Sequence, residues 1–332
     1  MRSARLHAPA TIETRPLRLE TVPDPRPGPG EVLIRVAACA VCRTDLQLTE
    51  GDIEPRYSPS IPGHQVVGRV EAMGAGVAGL AVGQRVGVGW LGSTCGSCRY
   101  CTSSLENLCP QACFTGWDRD GGFAEWMTVD ARFALPLSGE LADVEVAPLL
   151  CGGVIGYRSL RVSGIEQGGR LGLFGFGASA SLAIQVAVDW DCEVYVATRS
   201  EAEQRRALDM GAAWAGDYTE TPPVQLDAAI TFAPVGAVVI RALQALRPGG
   251  IVAINAIHLD RMPEFDYEDL WLERQIRSVA NFTRRDAAEF LALAAEIPVR
   301  TSVQPYALEG ANEALIDLKA GRISGAAVLE IG

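Results

Sequence analysis

The chain has 332 residues, 48% of them hydrophobic and 21% charged, and a formal net charge of −11 at pH 7. That length is long for one hydrophobic core and predicts two domains. The acidic balance excludes a nucleic-acid partner, whose phosphates it would repel, and the composition is that of a soluble globular protein.

The first twenty residues carry Pro9, Glu13, Pro16 and Glu20 and no apolar h-region, so no signal peptide is expected and a cytoplasmic location is. Residues up to about 150 read as β-rich. Strands are predicted at 32–37 and 66–70, set between turn-rich segments such as 23–30, and at 83–88, which leads into a loop. That loop holds Cys95-x2-Cys98-x2-Cys101-x7-Cys109, four thiols within fifteen residues, with Gly92, Gly96 and Pro110 around them. The spacing suits one tetrahedral zinc ion in a closed, structural site. Disulfides are the alternative; they fit poorly with nine cysteines, an odd number, and no export signal. Cys39, Cys113 and Cys192 take the default role of small buried residues.

After Cys151 the pattern changes to alternating strand and helix. Strands are predicted at 171–174, 193–198, 228–232 and 251–254. Leu182, Ala183, Val186, Ala187 and Trp190 recur at helical spacing behind the first strand, and 201–210 forms a second helix closed by Gly211. The uncharged run 171–188 is long enough for a membrane span. Gly172, Gly175 and Gly177 break its first half, however, and Ser179, Ser181 and Gln185 punctuate the second. Strand, tight turn and helix is the reading, with no membrane partner. Alternating βα units imply a parallel sheet with both faces covered, a doubly wound domain. From about Asp286 the chain turns helical and is expected to return to the first domain, whose sheet a last strand at 326–331 would close.

Gly175-Phe176-Gly177-Ala178-Ser179-Ala180 is a Gly-x-Gly-x-x-Ala turn between the first of those strands and its helix. The first glycine permits the turn, the second lets backbone approach a pyrophosphate, and the small third residue permits close packing at a helix N-terminus. In that context the turn predicts dinucleotide binding. At the end of the next strand, where an NAD-binding fold places a carboxylate for the ribose 2′-hydroxyl, stands Thr198-Arg199-Ser200. A guanidinium and two hydroxyls suit a 2′-phosphate, so NADP(H) is expected over NAD(H). The plainer alternative is a solvated Arg199 partly offset by Glu201. Cys42, His64 and Cys151 lie far apart in sequence. Two thiolates and an imidazole would make a zinc site with its fourth position open, but singly each reads as a core residue, and spacing alone does not unite them.

Cys42-Arg43-Thr44-Asp45, Gly63-His64, the four-cysteine loop, Ala147-Pro148-Leu149-Leu150-Cys151 and the Gly175 turn occur in that order. Together they resemble the zinc-containing alcohol dehydrogenases of the medium-chain dehydrogenase/reductase superfamily over essentially the whole chain. Phe114-Thr115-Gly116 and Ser278-Val279-Ala280-Asn281 are similar to bacterial branches near the cinnamyl-alcohol-type enzymes. The resemblance implies an α/β protein. A GroES-like β-rich catalytic domain would span 1–152 and 286–332, and a Rossmann domain, a doubly wound parallel sheet, 153–285. It implies two zinc ions per chain, a structural one on the four-cysteine loop and a catalytic one on Cys42, His64 and Cys151 in the cleft between the domains. Zinc would polarise the oxygen of an alcohol or aldehyde, and Thr44 would hydrogen-bond that oxygen and start a proton relay. Asp45 would orient His64, and Arg43 would reach the cofactor pyrophosphate. Segments around Ala233, Ile257 and Asn281 would cover the nicotinamide. A homodimer or homotetramer built on the Rossmann sheet edge is implied as well.

Two positions depart from the family pattern. Gln65 stands where members usually have Glu after the zinc-binding His, and Gln47 stands where many have a His that passes the proton to solvent. An amide does not titrate near neutral pH, so slower alcohol oxidation, or a bias towards carbonyl reduction, is expected. Trp90, Phe114, Trp117 and Trp271 are candidates for an apolar pocket wall. The competing readings are a reductase of another polarised double bond, such as an iminium or enone, and a catalytically silent cofactor-binding sensor.

Overall fold

The computed structural model describes residues 1–256 and 258–332. They form two units, Met1–Cys151 with Phe282–Gly332, and Gly152–Asn281.

The first unit is organised by the strand Glu31–Ala40. Its alternation buries Val32, Ile34, Val36 and Ala38, and its end buries Cys39 and Ala40 as well, the period-2 pattern of a half-covered strand passing into full cover. One edge pairs antiparallel with Val66–Met73. The other pairs with Trp126–Asp130 over its first half and with Ala326–Glu330 at its end. The sheet continues from Val66–Met73 to Arg85–Val88 and Leu135–Pro136, and from Ala326–Glu330 to Val303–Ala307.

That pairing unites residues distant in sequence. Cys39 lies opposite Val66, so Cys42, just past one strand's end, and His64, just before the neighbour's start, emerge at the same end of the sheet. Val66 in turn lies opposite Val88. The side chain of Leu150 packs against Gly87 on that third strand, at the point where a Cβ on Gly87 would lie 2.5 Å from Leu150 Cδ2. Cys151 is thereby delivered to the same end.

In the second unit six parallel strands run in the order Trp214–Gly216, Glu193–Ala197, Arg170–Phe174, Leu226–Thr231, Leu246–Ile254, Gln275–Ser278. In chain order this is 3-2-1-4-5-6, the doubly wound arrangement whose switch point lies between Arg170–Phe174 and Leu226–Thr231. Helices Gly152–Ser163, Ala178–Asp189, Glu201–Asp209 and Gly236–Gln244 alternate with the strands. Phe174, Leu226, Val239, Leu243, Leu246 and Val252 share one buried cluster. The register aligns Phe174, Ala197, Thr231, Ile254 and Ser278 in one row, so the segments after these strands leave from a single edge. The uncharged run is the strand Arg170–Phe174, a turn and the helix Ala178–Asp189. Among the described residues no helix is long and apolar enough to cross a membrane.

Candidate metal, catalytic and cofactor sites

All nine cysteines are free thiols. In the loop, Sγ separations are 3.8 Å for Cys95–Cys101, 3.6 Å for Cys98–Cys101, 3.8 Å for Cys98–Cys109 and 3.6 Å for Cys95–Cys109. Disulfide sulfurs lie about 2.05 Å apart. Four sulfurs each about 2.3 Å from a zinc ion stand about 3.8 Å from one another in a tetrahedron, and the loop has that shape. Backbone N–H groups support the sulfurs: Cys98 N donates to Cys95 Sγ at 3.3 Å and Gln111 N to Cys109 Sγ at 3.4 Å. The N–H groups of Ser97 and Cys98 pull the Cys95 thiol down to about 6, whereas burial pushes Cys109 up to about 11. The donor set and its spacing fit structural zinc.

The second cluster is built on Asp45. Cys42 is the N-cap of the helix Arg43–Glu50, and Asp45, in its first turn, reaches back so that Oδ2 accepts from Cys42 N at 2.8 Å. Oδ1 accepts from Gly63 N at 3.0 Å and from His64 Nδ1 at 3.1 Å. One fully buried carboxylate thus fixes the backbone of one candidate ligand, the residue before another, and that ligand's ring. Because Nδ1 gives its proton to Asp45, Nε2 is the nitrogen left to coordinate, the carboxylate–histidine support that metal sites use. Gly63 permits this geometry. Its φ of +99° is left-handed, and a Cβ there would lie 2.5 Å from Phe123 Cδ1.

The ligand atoms of Cys42, His64 and Cys151 lie within 4.8 Å of one another. Burial alone would lower the His64 pKa, but the Asp45 carboxylate and the Cys42 thiolate outweigh it and raise it to about 10. Cys42 is held well below the ordinary thiol range by the Cys151 thiol and by His64, against the effect of burial. Cys151 is pushed well above that range by Cys42 and by burial. The Cys42 thiol is thus the more acidic of the two, and a cation bound by the three would displace protons from the cluster. Two thiolates and a neutral imidazole fit zinc with one position open.

Around this cluster the Thr44 hydroxyl oxygen lies 3.9 Å from Cys42 Sγ. Trp90 meets the His64 ring edge-on, centroids 4.8 Å apart and planes at 78°. It stacks on Phe114 at 5.3 Å and on Trp117 at 6.0 Å, so three of the four candidate wall residues form one aromatic slab. Trp271 belongs to the second unit, where it packs on Tyr267 and stays 55% exposed. Gln65 is buried and its amide donates to Ala40 O at 3.3 Å, a bond that a carboxylate does not make. Half-buried Gln47 lies one helical turn past Thr44, and its carbonyl accepts from Gly51 N and Ile53 N. Arg43 is exposed on that helix's first turn.

In the second unit the Gly175 turn leaves the aligned edge. Gly175 has φ +96°, and its N–H donates to Ala197 O at 2.8 Å. A Cβ on it would lie 3.0 Å from Ala233 N, which places Ala233 beside the turn at the switch point. Gly177 is extended and caps the helix Ala178–Asp189, and nothing lies within 4 Å of where its Cβ would be. Open space in front of the helix N-terminus, with exposed Ala178 and half-buried Ser179 in the first turn, suits a pyrophosphate. Phe176 is buried beside the guanidinium of Arg206, which lies 5.2 Å from the ring centroid and donates to Phe176 O at 2.6 Å.

One strand over, Thr198 is buried while Arg199 and Ser200 are exposed. Ser200 Oγ accepts from Glu203 N at 3.3 Å and caps the helix Glu201–Asp209. Thr198 Oγ1 donates to Glu203 Oε2 at 2.5 Å, and Gln204 Nε2 donates to Thr198 O at 2.7 Å. Sequence reading missed Glu203 and Arg206. Their i, i+3 spacing on a helix capped by Ser200 is the signal that places both on the face turned to the edge. Asn281 ends the unit at φ +60°, and Ile257 lies outside the described residues.

Residues 28–139 match the alcohol dehydrogenase GroES-like domain family. The chain is 50% identical to a probable alcohol dehydrogenase of Mycobacterium tuberculosis (strain CDC 1551 / Oshkosh), across 100% of this chain and 97% of that one. It is 34% identical to an alcohol dehydrogenase of Geobacillus stearothermophilus, across 95% and 96%. A cobalt- and zinc-bound thermostable alcohol dehydrogenase from Pyrobaculum aerophilum superposes with a TM-score of 0.88 at 26% identity, over 99% of each chain.

Proposed function

Because the chain belongs to the zinc-containing alcohol dehydrogenases of the medium-chain dehydrogenase/reductase superfamily, and is thus an oxidoreductase, we propose that it interconverts a primary alcohol, aromatic or allylic, and its aldehyde, with NADP(H) carrying the hydride. The observation that carries this reading is the convergence of Cys42, His64 and Cys151 on one point, braced by Asp45 and flanked by Thr44 and Trp90. Cys42, His64 and Cys151 would hold a zinc ion, which would supply Lewis acidity towards a substrate oxygen.

The protein's own residues do the rest. Asp45 keeps the His64 ring turned so that Nε2 faces the sulfurs. Thr44 is the hydroxyl able to hold the proton of the substrate oxygen. Gln47, one helical turn on, can relay a hydrogen bond but cannot titrate, so proton exchange with solvent is slow and alcohol oxidation at neutral pH is slowed. The slab of Trp90, Phe114 and Trp117 offers flat faces to a planar substituent. The N-terminus of Ala178–Asp189 receives the pyrophosphate. Exposed Arg199 and Ser200 receive the 2′-phosphate, while Thr198 occupies the nearby Glu203 carboxylate. The four-cysteine loop holds a second, structural zinc.

The test is loss of NADPH absorbance with a panel of aromatic and aliphatic aldehydes, alongside metal analysis. Turnover faster with NADPH than with NADH, abolished by a chelator and restored by zinc, is expected. Two bound zinc ions with no turnover on any carbonyl would overturn the proposal.

A further inference from the structure

The four-cysteine loop carries a buried acid that a metal clasp alone does not need. Glu106 is 3% exposed and lies between Cys101 and Cys109. Its carbonyl accepts from Cys109 N at 3.0 Å, so it shares a turn with a candidate ligand. Its carboxylate leaves the loop: Oε1 accepts from Arg284 N at 2.9 Å and from Arg284 Nε at 3.3 Å. Arg284 begins the helix Arg284–Glu296, whose N-terminus Thr283 and Asp286 also cap. The guanidinium of Arg284 lies 5.3 Å from the centroid of the Phe133 ring, and that of Arg132 lies 5.9 Å from it. Arg132 in turn donates to Thr94 O at 3.0 Å. The start of the loop and the approach to its last cysteine are thus gripped by two arginines that share one aromatic ring.

Phe282, two residues before Arg284, is 3% exposed. A Cβ built on Gly89 would lie 2.5 Å from Phe282 Cζ and 2.9 Å from Leu150 O. Gly89 is therefore pinched between the Phe282 ring and the Leu150 carbonyl. The residue after Gly89 is Trp90, whose ring meets His64, and the residue after Leu150 is Cys151. In an interior packed without slack, a shift of the Phe282 ring passes to both.

We infer that Glu106, Arg284 and Phe282 are positioning residues through which the four-cysteine loop sets the places of Cys151 and Trp90. The inference rests on the reading of those two residues as parts of the catalytic site. The loop fixes Glu106, Glu106 fixes Arg284, and Arg284 seats Phe282 behind the two segments that carry a ligand and the pocket wall.

The test compares Glu106→Ala, Glu106→Gln and Phe282→Leu with the parent enzyme, each zinc-loaded for kinetics and cobalt-loaded for visible spectra. Reduction of benzaldehyde and of butanal is followed with NADPH. In Glu106→Ala with both metals retained, kcat/KM for benzaldehyde should fall about ten- to a hundredfold, as displacement of about 1 Å produces. The fall for butanal should be smaller, and the cobalt band of the two-cysteine, one-histidine site should move. Glu106→Gln keeps the acceptor for Arg284 N and should lie between parent and Ala. A lower melting temperature with the benzaldehyde-to-butanal ratio and the cobalt band unchanged would mean a merely structural clasp and overturn the inference. Should Glu106→Ala fail to fold, Phe282→Leu decides: it leaves the loop and the Glu106–Arg284 pair intact, and an unmoved band and ratio would overturn the inference equally. An inactive parent enzyme sinks the catalytic proposal instead, while the cobalt band still reports whether Cys151 has moved.

Discussion

Replacing Asp45 with asparagine removes a single charge and leaves shape unchanged, so its effect can be worked out atom by atom. The carboxylate takes three N–H donors, Cys42 N on Oδ2, and Gly63 N with His64 Nδ1 on Oδ1. Asparagine has one oxygen and one NH2 group. With the NH2 towards Cys42, the half-buried Cys42 N–H faces another donor, a loss of about 1–3 kcal/mol. With the NH2 towards Gly63 and His64, the Gly63 N–H is orphaned and Nδ1 must become an acceptor. The ring proton then moves to Nε2 and blocks coordination. Both orientations remove the negative charge that makes the imidazole basic. Zinc affinity at the Cys42, His64 and Cys151 site should fall about 10- to 100-fold, about 1.4–2.8 kcal/mol, with the four-cysteine site untouched. Competition with a chromophoric chelator measures it, and thermal unfolding of the metal-free variant separates folding from binding. Affinity retained within about twofold in a folded variant would refute the bracing role assigned to Asp45.

Gln47→His should raise the rate of alcohol oxidation at neutral pH by about tenfold or more, since it restores a group that titrates there. A rise no larger than slight would count against slow proton release. Arg199→Glu should lower the affinity for 2′-phosphorylated adenosine nucleotides while sparing those without the phosphate; equal loss of both, measured by calorimetry, would show that Arg199 does not read the 2′ position. Metal-free His64 titrates near 10, above the usual 6.5, and Cys151 is raised as well. The stability His64 lends the metal-free protein is complete below about pH 6.5 and is lost as pH rises towards 10. Over the same window zinc should bind more tightly and release protons at this site, which calorimetry in buffers of different ionisation enthalpy would detect; no proton release would contradict it. Gly63→Ala should destabilise the fold by about 2 kcal/mol or more, because the added Cβ meets Phe123 at a left-handed φ, and a melting temperature within a degree of the parent would contradict that.

How much of this was legible in the sequence follows the range of the interactions. The four-cysteine loop is local, and spacing alone gives a tetrahedron. The Gly175 turn is equally local, since a strand, two glycines and a helix suffice to describe it. Cys42, His64 and Cys151 come together through the pairing of Cys39 with Val66 and of Val66 with Val88, and no local pattern contains a strand register. The triple duty of Asp45 is hidden for the same reason, because Gly63 reaches it across the sheet end. Gln275–Ser278 was not anticipated as a strand. It is an edge strand with little burial, so the apolar alternation that marks a strand is missing. Glu203 and Arg206 lie on a helix foreseen from its pattern, but only the fold shows that Thr198 and Phe176 are their partners.

The order of the strands has a consequence for how the protein is made. Gly152–Asn281 is continuous, and its βα units can close their sheet as they leave the ribosome. Glu31–Ala40 cannot be completed so early, because the partner of Ala38–Ala40 on the edge away from Val66–Met73 is Ala326–Glu330, nearly a chain length later. Until that strand is synthesised, the edge beside Cys42 stays unpaired, a template for wrong partners. The N–H of Val41, immediately before Cys42, donates to Ala327 O at 2.8 Å. The nascent chain therefore acquires its segments in one order and completes the sheet beside Cys42 in another.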